Sequence, residues 1–328
     1  MRMHRFAGLA VVAVFLLIVV AAAVPADGSS SAAGNPKVAI RSEMGLIVVE
    51  IFADKAPVTA ANFLKYVDAK LYDGTVFHRT VTMDNQPNDA VKIEVIQGGQ
   101  MPQGVTGFPA IALERTSVTG LKHEDGTISM ARSGPDTATA SFFFCIGPQP
   151  ELDFGGKRNK DGQGFAAFGK VVTGMEAVRK IQKAPAEGQT LKPPVKIQYA
   201  ARVTGPERLA VQHILIAFKG TIPGQDGAKV TRTKEEAQAL AVKLFEQAKG
   251  GADFDALVKA NTDDEYPGIY AMTNFDIPPN KEQKEYSRGG MVRAFGDVSF
   301  SLPVGGVGLA VYDPAFSKYG WHIIKRIR

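Results

Sequence analysis

Apolar and polar residues are distributed differently in three parts of the chain. Residues 6–26 carry no charged side chain and include a continuous apolar stretch. Between Lys37 and Val203 the apolar residues come mostly in short runs, which is typical of β-strands. From Glu207 onward, apolar residues at helical spacing alternate with short apolar runs, which is typical of mixed helices and strands. The pattern therefore predicts an N-terminal segment followed by two domains of different architecture.

The domain predicted for residues 37–203 is rich in strands and contains two helices. The first helix begins at Pro57, where the missing N–H of proline leaves no helical hydrogen bond unmade. Its apolar stripe is formed by Ala60, Phe63, Leu64, Val67 and Leu71, and a second helix is predicted at Met175–Ile181. Strands are predicted at Val38–Arg41, Leu46–Phe52, Thr75–Val81, Ile93–Ile96, Thr127–Ala131, Phe142–Ile146, Phe165–Val172 and Val195–Val203. Many strands with two helices predict an antiparallel closed β-barrel with two capping helices.

The domain predicted for residues 208–328 has an α+β pattern and follows a short linker at residues 204–207. Thr233 and Glu236 have the spacing of a capping box, in which each side chain accepts a hydrogen bond from a free backbone N–H. The helix that follows is predicted to end at Gly250-Gly251. Further helices are predicted at Phe254–Ala260 and Met291–Asp297, and strands at Leu209–Phe218, Val307–Tyr312 and Trp321–Ile327. The linker is too short for independent tumbling, so we expect the two domains to touch.

The N-terminal segment has the composition of an export signal. Two arginines in Met1–Arg5 precede the apolar stretch Leu9–Val20, and small residues follow it up to Ala26. This order predicts a signal peptide at residues 1–26, a flexible linker at residues 27–36 and an exported protein, either periplasmic or secreted. An uncleaved membrane anchor is the alternative, since 21 uncharged residues are just enough to span a bilayer.

The composition excludes several classes of function. The chain has 328 residues, of which 45% are hydrophobic and 22% charged, and this fits two globular domains rather than a disordered or fibrous chain. Its net charge of +5 is small for this length, so neither domain has the basic character of a nucleic-acid-binding protein. The single cysteine, Cys145, excludes an internal disulfide, a four-cysteine zinc site and a Cys-x-x-Cys motif.

A series of separated motifs in the first domain indicates its family. They are Ala61-Asn62-Phe63-Leu64, Phe77-His78-Arg79, Gln97-Gly98-Gly99, Ser129-Met130-Ala131-Arg132, Asp136–Phe143 and Phe168-Gly169-Lys170-Val171. Taken singly, an arginine in a strand is usually solvated and a Gly-Gly pair is usually a turn. In this order, however, the series resembles a cyclophilin, the barrel-shaped family of peptidyl-prolyl isomerases, over Lys37–Val203.

The resemblance to cyclophilins implies a site that rotates an Xaa–Pro bond. By this resemblance Arg79 donates a hydrogen bond to the twisted amide, and Gln97 helps to orient the peptide. Phe143 and Leu152 would line the pocket for the proline ring, and the Ala131 backbone would contact the extended substrate. The barrier to be lowered is about 18–20 kcal/mol and comes from amide resonance. No covalent step, cofactor or metal is needed, because a desolvated guanidinium can stabilise the lone pair of the twisted nitrogen.

Several positions differ from the cyclophilin pattern. Glu94 replaces an aromatic pocket residue, Ser141 a glutamine, Phe165 a histidine or tyrosine, and Glu151 a tryptophan. The segment between Arg79 and Gln97 is also longer than usual and includes the polar loop Asp84–Asp89. These differences leave open a holdase-type chaperone, in which one or both domains bind unfolded segments without catalysis.

The second domain has motifs of its own. They are His213-Ile214-Leu215, Thr231–Ala237, Asp253-Phe254, Thr262-Asp263-Asp264, Ser287–Met291, Phe295 and Gly320–Lys325. Two histidines and a carboxylate also suggest a metal site, but their spacing matches no metal motif. The motifs together resemble a parvulin, an isomerase family unrelated to cyclophilins, over Arg208–Arg328. This resemblance implies a small domain with a four-stranded sheet.

The resemblance to parvulins also implies a second isomerase site. His213 and His322 would form a hydrogen-bonded pair beneath the pocket, with Asp264 near the target amide. Met291 and Phe295 would hold the proline ring.

The sequence as a whole therefore predicts an exported folding catalyst with two isomerase domains of unrelated fold. The expected partners are unfolded or extended polypeptides that contain Xaa-Pro bonds, with no nucleic acid and no membrane beyond a possible uncleaved anchor. A holdase-type chaperone and an envelope assembly factor with weak catalytic sites are the alternatives.

Overall fold

The computed structural model describes residues 34–328, so the predicted signal peptide at residues 1–26 lies outside the described residues. The strands of the first domain are β1 (Lys37–Ser42), β2 (Gly45–Ile51), β3 (Val76–Val81), β4 (Val95–Gly98), β5 (Thr127–Met130), β6 (Phe142–Cys145), β7 (Ala166–Thr173), β8 (Ala186–Glu187) and β9 (Thr190–Arg202). In the part of the chain that is described, no helix is long and apolar enough to cross a membrane.

Eight of these strands close into an antiparallel barrel. Their order is β1-β2-β7-β5-β6-β4-β3-β9, and β1 pairs with β9 to complete the circle, while β8 only extends β9. Ala39 shows the closure, since it lies opposite Val48 on one side and Ala201 on the other. The closed barrel confirms the predicted fold class, and it leaves no unpaired sheet edge around its circumference.

Helices α1 (Pro57–Asp68) and α3 (Met175–Gln182) are the two predicted helices of this domain, and a single turn, α2 (Thr116–Thr119), lies between them. The core combines the buried faces of both helices with the inward residues of the strands. An aromatic cluster occupies its centre, where the Phe63 ring of α1 meets the Phe142 ring of β6 edge-on at 5.6 Å. Such edge-to-face contacts add to the burial of apolar area.

The second domain contains strands β10 (Arg208–Ile216), β11 (Ile269–Thr273), β12 (Tyr286–Ser287), β13 (Val307–Ala310) and β14 (Trp321–Arg326), and helices α4 (Gly224–Ala228), α5 (Lys234–Lys249), α6 (Phe254–Asn261) and α7 (Arg293–Ser301). The sheet order is β12-β11-β10-β14-β13. Four strands correspond to the expected four-stranded sheet, and the two-residue β12 is added at the edge. The hydrophobic pattern alone did not predict β11.

The two faces of this sheet are covered by different helices. Ile214 and Ile323 pack on one face against α5 and α6, whereas Val211 and Ile324 pack on the other face against α7. At the start of α5 both hydrogen bonds of the predicted capping box are present, between Thr233 and Glu236. Helix α7 begins two residues later than predicted, because Arg288–Gly290 forms a single 3₁₀ turn before it.

The two domains are in contact. Residues 35–328 form one compact unit. Arg293 of α7 makes an ion pair with Asp73 of the barrel domain, with 2.6 Å between Nη1 and Oδ2. Its guanidinium also lies over the Tyr199 ring of β9, 4.6 Å from the centroid, and the same tyrosine contacts Phe275 of the second domain. Both members of the ion pair are nearly buried, so the contact fixes the domains through charge as well as apolar packing.

Candidate active sites

The first site is centred on Arg79 of β3. Its Nη1 donates to Oε1 of Gln97 at 3.0 Å, while Nε and Nη2 donate to Oε1 of Gln189 at 2.9 and 2.6 Å. The side chain is half-buried, and its pKa is lowered by this burial and secondarily by the charge of Arg158. The guanidinium is thus bound by neutral amides and not by carboxylates. It stays charged, and the two glutamines do not neutralise that charge.

An apolar pocket lies on the same outer face of the barrel. Phe143 and Leu152 are buried there together with Val81, Ile93, Val95 and Cys145. Ala131 and Phe165 are partly buried at the rim of this group, and the Phe165 ring meets Phe143 edge-on at 5.3 Å. The structure therefore brings Ala131, Phe143 and Leu152 together in one apolar cluster, with Phe165 packed against it.

A buried polar chain supports the aromatic floor of this pocket. His123 Nδ1 lies 2.8 Å from Oδ1 of Asp153, and its Nε2 lies 3.0 Å from Oγ of Ser129. The His123 ring stacks on Phe143 with 6.0 Å between centroids. Because all the polar atoms of the imidazole are satisfied, His123 can hold Phe143 in place without an unpaired buried group.

The departures from the cyclophilin pattern have distinct structural outcomes. The Glu94 carboxylate accepts a hydrogen bond from Gln182 of α3, while the neighbouring Val95 packs beside Phe143. Ser141 accepts a hydrogen bond from Nε2 of Gln97 at 3.1 Å, which orients the amide that accepts from Arg79. The Glu94 carboxylate thus binds α3, and the group of side chains around Phe143 stays apolar.

The long loop between β3 and β4 forms part of the site. Nε2 of Gln189 donates to the carbonyl oxygen of Asn85 at 3.3 Å, and Asn85 in turn donates to the carbonyl oxygen of Gly188. Farther along the loop, Asp89 forms an ion pair with Arg158 at 3.0 Å. The loop thus holds Gln189 in place, and Gln189 in turn binds Arg79.

The second site lies on the α7 face of the five-stranded sheet. In the β10–β14 register Leu215 is opposite His322 and His213 is opposite Ile324, so alternation places both imidazoles on one face. His213 Nδ1 lies 3.3 Å from His322 Nδ1, and His213 Nε2 lies 3.0 Å from Oδ2 of Asp264. Tyr270 donates its hydroxyl to the same Oδ2 at 2.9 Å. The predicted histidine pair is therefore linked directly to the predicted carboxylate.

Burial and hydrogen bonding set the charges of the second site. Burial, followed by the neighbouring His213, lowers the pKa of His322 to about 3, so this ring is neutral. Its Nδ1 faces Nδ1 of His213, and His213 Nε2 faces the carboxylate of Asp264. The hydrogen bond from His213 holds the pKa of Asp264 well below its usual range, while burial and the adjacent carboxylate raise the pKa of Tyr270. The arrangement presents one carboxylate anion close to a neutral His322 ring.

The apolar part of the second site surrounds the histidine rings. Phe295 of α7 is buried and meets His213 at 5.1 Å and His322 at 5.4 Å between ring centroids. Met291 lines the same cleft of about 1280 Å³, together with Asp264. The cleft thus combines an anion with apolar walls, which suits a proline ring and its preceding amide.

Two family sequence models match the chain. The model described as cyclophilin type peptidyl-prolyl cis-trans isomerase/CLD matches residues 37–202, which is half of the chain. The chain belongs to the cyclophilin-type peptidyl-prolyl cis-trans isomerases. A second model, described as PPIC-type PPIASE domain, matches residues 196–327, so this cyclophilin-type protein carries an isomerase domain of a second kind. Both predicted families are confirmed.

Curated relatives agree with this membership. A peptidyl-prolyl cis-trans isomerase of Acinetobacter baylyi is 35% identical over 179 residues, which cover 52% of this chain and 86% of that protein. Peptidyl-prolyl cis-trans isomerase B of Escherichia coli is 36% identical over 150 residues, which cover 44% and 83%. A solved cyclophilin type isomerase of Cryptosporidium parvum is 22% identical with a TM-score of 0.43, over 52% of this chain and 99% of that one. The cyclophilin-type chain is a peptidyl-prolyl isomerase.

Three residues of this isomerase were not found from the sequence. Gln189 lies 110 positions from Arg79 in the sequence, and no local pattern links the two. Tyr270 lies on β11, the strand that the hydrophobic pattern did not predict. His123 lies just before β5, and its partner Asp153 is 30 positions away.

Proposed function

We propose that this isomerase is exported and accelerates the folding of exported proteins, with one catalytic site in each domain. Its substrates are unfolded or extended segments that contain Xaa-Pro bonds. In the first site Phe143 and Leu152 receive the proline ring, the Ala131 backbone contacts the segment, and Gln97 orients it. Arg79 donates to the amide nitrogen as it twists out of conjugation. In the second site Met291 and Phe295 hold the ring beside Asp264.

The arrangement of Arg79 carries the proposal for the first site. A guanidinium that is half-buried and bound only by the neutral amides of Gln97 and Gln189 keeps its full charge for the substrate. Rotation about the Xaa–Pro bond localises a lone pair on the amide nitrogen, and a preorganised cation favours that state over the planar one. Loss of one such donor lowers turnover by about 10²–10³.

The second site would act through charge of the opposite sign. Amide resonance places partial negative charge on the carbonyl oxygen, and an anion held close to that oxygen disfavours the planar form. Tyr270 and the His322–His213 chain orient Asp264 for this purpose. His213 and His322 therefore act as positioning residues, because their proposed effect on the amide is exerted through the carboxylate.

Proline-limited refolding of a protein substrate tests both sites. The chain from residue 27 to residue 328, which includes the whole compact unit, is compared with Arg79→Ala, Asp264→Ala and the double variant. Arg132→Lys is a matched control, because Arg132 is an arginine of the same face that is already paired with Asp161. We expect each single variant to lose one part of the acceleration and the double variant to lose all of it.

The outcomes assign the activity. Full acceleration by Arg79→Ala would show that the first site is inactive on that substrate. Acceleration that Asp264→Ala leaves unchanged would remove catalysis from the second site and leave it a binding site. No acceleration by the unmodified chain would contradict the folding role.

A holdase-type chaperone is the second candidate, and the size of the cleft favours it. A cleft of about 1280 Å³ lined by both domains is large enough to hold several residues of an extended segment. Suppression of aggregation of an unfolded protein, measured with the Arg79→Ala and Asp264→Ala double variant, separates the two functions. Protection that survives the loss of both groups would establish holding without turnover.

Export rests on the N-terminal sequence alone. Two arginines, the stretch Leu9–Val20 and the small residues up to Ala26 support a cleaved signal. Cell fractionation with N-terminal sequencing of the mature chain tests this proposal. A mature protein that retains the apolar stretch in the membrane fraction would establish the anchor instead.

A further inference from the structure

The cleft of the second site has walls from both domains. The residues that line it include His213, Asp264 and Met291 of the second domain, and Arg41 and Lys196 of the barrel. Arg41 of β1 is paired with Tyr199 of β9 across the barrel closure, and Lys196 lies three residues earlier on β9. A segment bound along this cleft can therefore contact side chains of both domains.

The barrel wall is fixed in relation to the second site. The Arg293–Asp73 ion pair joins the domains through atoms 2.6 Å apart. Lys37 makes a second connection, with 2.6 Å between its Nζ and Oδ2 of Asp276. Charges on this wall consequently face the cleft at a set distance instead of moving independently.

Among the lining groups that have no fully charged partner, cations outnumber carboxylates. Asp263 is bound by Arg232, and Asp264 is bound by His213 and Tyr270. Arg293 is neutralised by Asp73 and Asp297. Within residues 34–328, Arg41, Lys196 and Lys318 line the cleft without an ion pair, and Glu265 is the lining carboxylate that likewise has none.

We infer that the barrel domain supplies a cationic wall to the second site, and that this site prefers Xaa-Pro segments with anionic side chains next to the proline. The inference deepens the proposed function of the second site and rests on it. Arg41 and Lys196 are the specificity-determining residues. An anionic side chain in the segment gains attraction to this wall, whereas a lysine is repelled by it.

The arrangement also resolves a conflict within the site. A substrate with an anionic side chain would be repelled by Asp264 and Glu265 if the second domain acted alone. The cations on the opposite wall offset this repulsion, and a segment held between the two walls can place its acidic side chain on the barrel side. Attraction of this kind depends on salt, because the cleft is open to solvent.

Binding at the second site can be measured without catalysis. Met291 lines the cleft, so the methyl signal of ¹³C-methionine-labelled protein reports peptide binding there, and Met291→Leu identifies the signal. The peptides share one sequence and differ before the proline, with glutamate, phosphoserine, alanine or lysine. The variants are Arg41→Gln/Lys196→Gln and the control Lys180→Gln/Lys243→Gln, which removes two exposed lysines that do not line the cleft.

We expect the Glu-Pro peptide to bind at least about fivefold more tightly than the Lys-Pro peptide at low salt. This preference should disappear in Arg41→Gln/Lys196→Gln, persist in the control, and shrink at 0.5 M salt. Equal affinities, or a preference that survives the loss of Arg41 and Lys196, would overturn the inference. Tight binding of phosphoserine-Pro with weak binding of Glu-Pro would support the cationic wall and identify phosphate as its ligand.

A separate measurement tests the proposed catalysis. Exchange between cis and trans forms of the same peptides is measured by NMR with the Arg79→Ala chain, in which the first site is silenced. Charge-dependent binding without exchange would refute catalysis by the second site while leaving its charge preference established. Exchange without charge-dependent binding would support catalysis by the second site and refute its charge preference.

Discussion

Acid should destabilise the second domain through one residue, His322. Burial lowers the pKa of this histidine from 6.5 to about 3 in the folded chain. Its Nε2 is buried without a hydrogen-bond partner, so a proton added there would have no acceptor. The resulting positive charge would be buried. The unfolded chain has no such restriction and takes up the proton near pH 6.5.

The sign and size of the effect follow from this difference. Because the folded-state pKa lies below the unfolded one, the stabilisation is complete above pH 6.5 and is lost progressively as the pH falls towards 3. At pH 5 the unfolded histidine is almost fully protonated and the folded one is not, which lowers the free energy of unfolding by about 2 kcal/mol. Asp264, whose pKa is also lowered, loses its contribution only below the pKa of 3.8 that it has in the unfolded chain, outside this window.

The chain contains a suitable probe for the measurement. Trp321 is the single tryptophan and precedes His322 on β14, so its fluorescence follows urea unfolding of the sheet that carries the histidine. We expect the free energy of unfolding to fall by about 2 kcal/mol between pH 8 and pH 5. In His322→Gln most of this decrease should vanish.

A matched control separates titration from general weakening. Thr233→Ala removes the hydroxyl that caps α5 and should destabilise the same domain by about 1 kcal/mol without changing any titrating group. Its stability should therefore be lower at every pH, with the slope of the unmodified chain. An equal slope in His322→Gln and the unmodified chain would refute the reasoning.

Three further predictions concern other parts of the molecule. Gln189→Leu should lower the kcat/KM of the first site by about tenfold with an unchanged far-UV spectrum, because Arg79 loses the acceptor of two hydrogen bonds; unchanged kinetics would show that the anchor is dispensable. Cys145 should stay unreactive towards a thiol reagent at pH 8 until the chain is unfolded, since burial raises its pKa. Arg293→Ala should lower the free energy of unfolding by about 3 kcal/mol in urea, because Asp73 is left as an unpaired buried charge; a change below 1 kcal/mol would contradict this role.

The sequence predicted those features that depend on neighbours in the chain. The capping box needs only Thr233 and Glu236, three residues apart, and both of its hydrogen bonds are present. The apolar stripe after Pro57 likewise predicted α1, because helical spacing reports directly which side is buried. Local signals of this kind were sufficient for the fold class.

Features that depend on distant pairings could not be predicted in the same way. β11 consists of Ile269–Thr273, directly after a Tyr-Pro-Gly turn, and of its five side chains one is exposed and two are only partly buried. Its five residues carry no clear alternation, so the strand was missed, and Tyr270 was missed with it. The position of Arg41 and Lys196 in the cleft could not be predicted either. A cation on the outer face of a strand is normally solvated unless another domain covers it.

The two proposed sites lower the same barrier, that of rotation about the Xaa–Pro bond, with groups of opposite charge. This difference affects their pH dependence. Arg79 is supported by amides that do not titrate, so its hydrogen-bond partners keep their charge between pH 5 and pH 8. The second site depends on a neutral His322 and a domain that acid weakens. A shift from pH 8 to pH 5 should therefore weaken the second domain by about 2 kcal/mol and leave the hydrogen-bond partners of Arg79 unchanged. Isomerisation by the first site should consequently be less sensitive to acid than isomerisation by the second, which the single variants Arg79→Ala and Asp264→Ala would show when assayed at both pH values.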